Sequence, residues 1–252
     1  MRILTLARDL RRRKARERQG LFVVEGVRSV EELIGSTLTV RGILTAPQLA
    51  DAPRGRDLLE RVAESAIEHS AVTEAEFRSA AETESPQGVL GIAEIPNRQL
   101  SALAGVTPLR LLVLDALQDP GNVGTILRTA VALGADATVA LPGTVDLWNA
   151  KVVRSAMGAH FHHHALHVSL DQLFEFLASE SIPLWSAAAD GAPAESVTPP
   201  ARLALAVGNE GAGLSSSLRE RASATISLPI ARSVESLNVA VATGILLYQL
   251  RK

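Results

Sequence analysis

Apolar positions along the chain fall into short continuous runs that alternate with stretches of helical period, and the alternation is stricter in the second half. In the first half, LFVVEGVRSVEELI reads as a β-like run followed by a helix with Val27, Val30, Leu33 and Ile34 on its apolar side. VRGILTA then reads as a strand, RDLLERVAESAI as a helix and GVLGIAEI as a closing strand, which together predict a small α/β sandwich. The second half reads strand LRLLVLDA, helix NVGTILRTAVALGA, strand TVALP, helix NAKVVRSAMGA and a histidine-rich strand. It continues with helix LDQLFEFLAS, strands LWSAAA and RLALAVG, helix SSSLRERA, strand TISLPI and a last helix entered through ESLNVAVATGILLYQL. Strands alternating with helices predict a parallel sheet covered on both faces. The segment IPNRQLSALAGVTP separates the two blocks, so the expected organisation is a domain over residues 1–95, a linker over 96–108 and a second domain over 109–252. No internal repeat is seen, and DGAPAESVTPPA reads as a loop of biased composition.

Composition narrows this picture only in places. A chain of 252 residues suits one large α/β domain or two smaller ones. The formal net charge of -2 neither favours nor excludes a nucleic-acid partner, so local clusters must carry that argument. Aromatic residues make up only 3%, which weakens any reading that needs base-stacking platforms. The absence of cysteine excludes disulfides, thiolate metal sites and cysteine nucleophiles. The opening MRILTLARDLRRRKARERQG carries charge where a secretory signal needs an apolar run, and no run is long enough to span a bilayer, so a cytoplasmic protein without a membrane segment is expected.

Three polar loops carry the candidate chemistry. The first, DPGNVGTILRTA, leaves the strand that ends at Leu114, and Asn122 reads as the cap of a helix striped by Val123, Ile126, Leu127, Ala130 and Val131. Arg128 lies on another face of that helix; it suits both reaching back over the strand ends and pairing with a surface acid. The second, AVGNEGAGLS, follows the apolar LALAV, and its glycines allow a ligand close approach to backbone. Its spacing is not that of a dinucleotide fingerprint, and Glu210 has the wrong charge to face a pyrophosphate; a flexible turn with a solvated glutamate fits equally. The third, LPIARSVESLN, enters the last helix, where Ser236 or Asn238 reads as the N-cap. Loops at the carboxyl ends of strands in an open α/β sheet surround a crevice, so the three together suggest one composite site.

In order and spacing these loops closely resemble the three motifs of the SpoU (TrmH-like) family of RNA ribose 2′-O-methyltransferases. NAKVVRSAMGAHFH resembles the family's stretch between the first two motifs, and RRRKARERQGLFVVEGVRSVEEL its N-terminal RNA-binding domain, so the resemblance covers nearly the whole chain. It implies a SPOUT-type catalytic domain with a trefoil knot, which periodicity cannot show. It also implies S-adenosylmethionine bound by Val207, Gly208, Leu228, Ile230 and Leu237, and a homodimer to which the apolar C-terminal helix contributes. Asn122, Arg128, Glu210, Ser236 and Asn238 become the expected catalytic set. In the family the arginine matching Arg128 is assigned to activating the hydroxyl. A guanidinium keeps its protons, so Arg128 is expected instead to grip the adjacent phosphate while a phosphate oxygen or water takes the proton.

RNA is the expected partner, large-subunit ribosomal RNA ahead of tRNA, with a role in antibiotic resistance left open. Arg11, Arg12, Arg13 and Lys14 of the basic arm, with Lys151 and Arg154, are the candidate phosphate contacts; a solvated amphipathic helix is the competing reading of the arm. A non-enzymatic RNA-binding module for ribosome assembly would keep the arm but not need Arg128, Glu210 and Asn238 together. The histidines at 160, 162, 163, 164 and 167 would share a strand face; without acidic or cysteine partners nearby they read as a surface or dimer-edge cluster, and no metal is expected.

Overall fold

The computed structural model describes residues 3–231 and 233–251. Two compact units divide the chain: one runs up to Asn97 and includes Trp148–His162, and the other comprises Arg98–Leu147 with the chain from His163 onward.

The first unit begins with helices α1 (Ile3–Asp9) and α2 (Arg13–Gln19), then strand β1 (Leu21–Glu25), α3 (Val27–Ile34), β2 (Val40–Thr45), α4 (Pro53–Glu64), β3 (His69–Ala71), α5 (Glu74–Arg78) and β4 (Val89–Glu94). Its sheet has the order β1-β4-β2-β3, antiparallel except for the β2–β3 pair. Phe77, Leu44, Leu90, Ile92 and Val23 pack with Ile3 and Leu10 in one apolar cluster, which is why the N-terminal helices fold down onto the sheet.

The second unit contains β5 (Leu109–Leu114), α6 (Pro120–Ala132) and β6 (Ala137–Ala140). The chain then passes through α7 (Ala150–Ala156) and α8 (Ala159–His162), which belong to the first unit, before β7 (His164–His167), α9 (Leu170–Ser179), β8 (Leu184–Pro193), β9 (Arg202–Val207), α10 (Ser216–Arg221), β10 (Ala224–Ser227) and α11 (Val239–Gln249). All pairings in its six-stranded sheet are parallel, in the order β10-β8-β9-β5-β6-β7. Strand β5, with every residue buried, sits inside the sheet as its unbroken apolar run anticipates.

Several sequence expectations change. The stretch from Trp148 to His162 was expected in the second domain, yet it packs with the first unit: the Trp148 ring lies 4.5 Å from that of Phe22, and Phe161 lies 6.1 Å from Phe22. Burial of these large rings outweighs proximity in sequence. The expected linker is no loose tether, since Leu100 and Leu103 join the apolar core of the second unit. The start of DGAPAESVTPPA extends β8 to Pro193, where Ile226 and Ser227 of β10 pair with Ala192 and Pro193.

The histidines do not form a surface cluster. His160 and His162 lie on the short helix α8, His160 is fully buried with its ring 4.2 Å from that of Trp148, and His163 is 4% exposed with Nε2 2.7 Å from the Thr138 hydroxyl. A turn of helix in place of extended chain breaks the alternation that would have put the imidazoles on one face. Among the described residues no group of three or more metal-ligating side chains occurs, and no helix is long and apolar enough to cross a membrane.

Candidate active site

Strands β5 and β9 are neighbours in register, with Leu114 opposite Val207, so the loops leaving their carboxyl ends start side by side. The chain runs from β5 outward through β6 and β7 and returns to place β9 on the other side of β5, which makes this pair the point where strand order reverses and a crevice opens. Buried Asp115 ties the two loops: its N–H donates to Val207 O at 3.0 Å, and its Oδ2 accepts from Ser215 N at 2.7 Å.

Asn122 does not cap α6, as the sequence reading had it. Asp119 does, its carboxylate accepting from Asn122 N at 2.7 Å, with Pro120 in the first helical turn, where a missing N–H costs nothing. The Asn122 side chain is thereby released for another task.

The second loop is built around Asn209, which sequence reasoning passed over. Its backbone exchanges two hydrogen bonds with Gly213, at 3.0 and 2.8 Å. Its Oδ1 accepts from Gly211 N at 2.9 Å and Ala212 N at 3.0 Å, and its Nδ2 donates to Ala116 O at 3.1 Å. An Asn side chain that holds the amides two and three residues ahead is ordinary turn chemistry, and the Gly-Asn-Glu-Gly sequence carried that signal. Gly208 matters for a reason other than ligand approach: a Cβ there would lie 2.4 Å from the Gly213 carbonyl and 2.5 Å from Leu214 N, so the loop closes on itself only because the position is glycine.

The third loop ends at Asn238, which caps α11 as expected: Oδ1 accepts from Ala240 N at 2.9 Å and Val241 N at 3.3 Å. Its amide faces the other loops. Asn122 Nδ2 donates to Glu210 Oε1 at 2.5 Å, Asn238 Nδ2 donates to the same oxygen at 3.3 Å, and Asn238 Nδ2 also lies 3.0 Å from Asn122 Oδ1. Side chains 88 and 116 residues from Asn122 thus meet it in one hydrogen-bonded clasp, and the exposed Glu210 carboxylate accepts from both asparagines.

Glu210 also borders a cavity of about 380 Å³, within the range of small-molecule sites. Val207, Gly208, Leu228, Ile230, Leu237 and Ser236 all line it. So do residues not anticipated from the sequence: Ala187–Ala189 in the middle of β8, Arg219 of α10, and Glu235. Arg219 is placed by its Nε bond to Leu214 O at 3.1 Å. Arg128 is exposed on α6, in the helix that Asn122 enters. The basic arm is largely tied to its surroundings: Arg12 pairs with Asp9, Arg13 with Glu17 at 2.7 Å, and Arg11 donates to Ser79 O at 3.3 Å. Such exposed pairs are weak and can be exchanged for phosphate. Arg16, by contrast, is buried and donates to Leu10 O at 2.8 Å, a structural role. Lys151 is exposed near the start of α7, and Arg154 lines a separate cavity in the first unit.

Residues 110–248 match the SpoU rRNA methylase family, and residues 4–91 match the MRM3-like substrate binding domain. The chain is 37% identical over 245 residues to 23S rRNA (guanosine(2553)-2′-O)-methyltransferase RlmP of Bacillus subtilis, spanning 97% of this chain and 94% of the relative. It is 29% identical to 23S rRNA (uridine(2479)-2′-O)-methyltransferase of Streptomyces viridochromogenes, over 94% of this chain and 84% of the relative. Among solved structures, SpoU methyltransferase AviRb from S. viridochromogenes in complex with the cofactor AdoMet superposes with a TM-score of 0.89 at 28% identity, covering 99% of this chain and 96% of that one. An AdoMet-bound rRNA methyltransferase from Sinorhizobium meliloti gives 0.86 at 25% identity, over 98% and 93%.

Proposed function

The chain belongs to the SpoU rRNA methylase family and is an S-adenosylmethionine-dependent RNA ribose 2′-O-methyltransferase; we propose that it acts in the cytoplasm on large-subunit ribosomal RNA, at the site built by Asn122, Glu210 and Asn238. The single observation that carries the site assignment is the clasp these three side chains form at the edge of the cavity. Ribosomal RNA is favoured over tRNA because two relatives matched over 97% and 94% of the chain are named for 23S rRNA and a third, over 97%, for tRNA/rRNA, whereas a structure concerned with tRNA matches only 56% of it.

The residues fit the methyl donor. Leu228, Ile230 and Leu237 supply apolar surface for a purine, while Arg219, Glu210 and Glu235 offer both signs of charge to a zwitterionic tail and a sulfonium. When bound, S-adenosylmethionine supplies a methyl group already activated on a sulfonium and a neutral leaving group. What remains for the protein is to aim a ribose oxygen in line with that methyl and to accommodate its proton. Asn122 and Asn238, braced by Glu210, present amide groups suited to holding the ribose, with Ser236 completing the shell. Arg128 acts as a fixed cation on the neighbouring phosphate, and the proton passes to a phosphate oxygen or water.

The protein is further proposed to work as a homodimer. Val241, Ile245 and Tyr248 stand on one side of α11 at 52%, 39% and 52% exposure, and with Thr125 and Thr129 of α6 and Leu133 just past its end they form an apolar groove suited to a second copy. A threaded C-terminus, the knot, is supported by the return of α11 from the β10 edge to pack on α6 beside the sheet centre.

The test is methyl transfer from radiolabelled donor to unmodified ribosomal RNA and tRNA. Wild type is expected to label ribosomal RNA at one ribose, and Arg128→Ala to abolish turnover while S-adenosylhomocysteine still binds. Full turnover by that variant removes Arg128 from the mechanism, and labelling of tRNA alone overturns the substrate assignment.

A further inference from the structure

A second cavity, of about 570 Å³, opens in the first unit, where the N-terminus of α3 meets Arg28, Arg54 and Arg154. The turn into α3 depends on Gly26, whose φ of +100° is open to glycine and little else. The first intrahelical bond runs from Val30 N to Gly26 O, and Val27 N is taken by Gln87 Oε1 at 3.0 Å. The amides of Arg28 and Ser29 therefore have no helical acceptor, at the end of the helix that carries partial positive charge.

Two side chains share that deficit. Ser29 is 8% exposed and lines the cavity, and its hydroxyl makes no hydrogen bond among the described residues. Arg154 Nη1 is enclosed and likewise has no acceptor. Arg54 is engaged by Glu31 at 2.8 Å, whereas Arg28 makes no ion pair among the described residues. The one carboxylate in the wall, Glu25, is already satisfied by Glu82 N at 2.9 Å and by the Thr83 hydroxyl. A buried donor without an acceptor is rare and costly, and Arg154 lining the same cavity as Ser29 and the first turn of α3 suits an anion with several oxygens.

We infer that this cavity binds a backbone phosphate of the RNA substrate, held by Ser29, the first amides of α3 and Arg154, with Arg28 at the rim. The inference rests on the functional reading above. Its chemistry matches other anion sites at helix N-termini, and the volume accommodates the sugars flanking a phosphate as well as the phosphate itself. Arg154 comes from the segment that joins the first unit from the other half of the sequence, so the site draws on both.

The full-length protein tests it, with large-subunit ribosomal RNA transcribed in vitro as probe. Arg154→Gln and Arg28→Gln are each expected to raise KM for that RNA about tenfold, the loss of one charge-assisted contact. Each is also expected to reduce the slope of log affinity against log salt by about one. Ser29→Ala should raise KM in the same direction, and S-adenosylhomocysteine affinity in calorimetry should stay at the wild-type value. Wild-type KM and salt slope in both arginine variants would overturn the inference, as would a parallel loss of S-adenosylhomocysteine binding in all three, which marks a purely structural role. Arg28 is exposed, so its variant decides the question even if Arg154→Gln fails to fold. Failure of the wild type to methylate this RNA strikes the substrate assignment instead. In that event inorganic pyrophosphate raising the melting temperature of wild type but not of Arg28→Gln upholds the anion site, and equal shifts in both reject it.

Discussion

Asn238 has two separable tasks, and substitution can divide them. Its Oδ1 caps α11 through two amides, while its Nδ2 reaches Glu210 and Asn122. Asn238→Ala removes both, Asn238→Ser only the second, because serine caps as well as asparagine but is too short to span the loops. A lost cap costs about 1 kcal/mol. The clasp is solvent-exposed, so the net loss of its bonds lies at the low end of the usual range, about 0.5 kcal/mol each. The alanine variant should thus lie about 2 kcal/mol below wild type in urea unfolding, and the serine variant about 1 kcal/mol above alanine. Turnover should not follow that ranking: both variants release Glu210 equally and should lose about tenfold in methyl transfer, equivalent to about 1.4 kcal/mol of the barrier. Combining either with Asn122→Ala should cost less than the sum, since both act through one oxygen. Equal stability of the serine and alanine variants would refute the capping role. Wild-type turnover by Asn238→Ser would refute the claim that the clasp organises the site.

Two further outcomes follow from packing and burial. Gly208→Ala forces a carbon to within 2.4 Å of the Gly213 carbonyl, so the loop must open; about 1–3 kcal/mol of stability and most S-adenosylhomocysteine affinity should be lost, as read by denaturation and calorimetry. At His163, burial foremost, then the Arg98 guanidinium and His164, holds the imidazole down to about 4 from its ordinary 6.5. The native state stays neutral while the unfolded chain takes up a proton below 6.5, so this residue withdraws about 3 kcal/mol of stability as pH falls from 6.5 to 4. His163→Gln preserves a partner for Thr138 but cannot titrate, and its unfolding free energy should fall less steeply over that interval; an unchanged slope would contradict the assignment.

The parallel sheet was legible because β5 and β9 are unbroken apolar runs bounded by turn residues, a local signal. The cavity wall at Gly208, Leu228 and Leu237 was legible through motif resemblance. What escaped was decided across long separations or by one residue's competition with another. Asp119 directly before Pro120 is the better cap, and only its winning that position leaves Asn122 for Glu210. His160 looked polar and therefore external, yet it lies against Trp148, whose attachment to Phe22 spans half the chain. Arg154 read as a phosphate contact beside Lys151, but nothing local announces the neighbours that enclose its Nη1.

Because Trp148–His162 fold with residues that precede Asn97, the two halves of this polypeptide are not interchangeable cassettes. Cutting the gene at the apparent border would strand Val152, Val153, Ala156 and Phe161 as bare grease on one fragment and leave Phe22 without its aromatic cover on the other. Recombination that grafts a new recognition module onto this transferase must therefore carry a matching internal insert along with it.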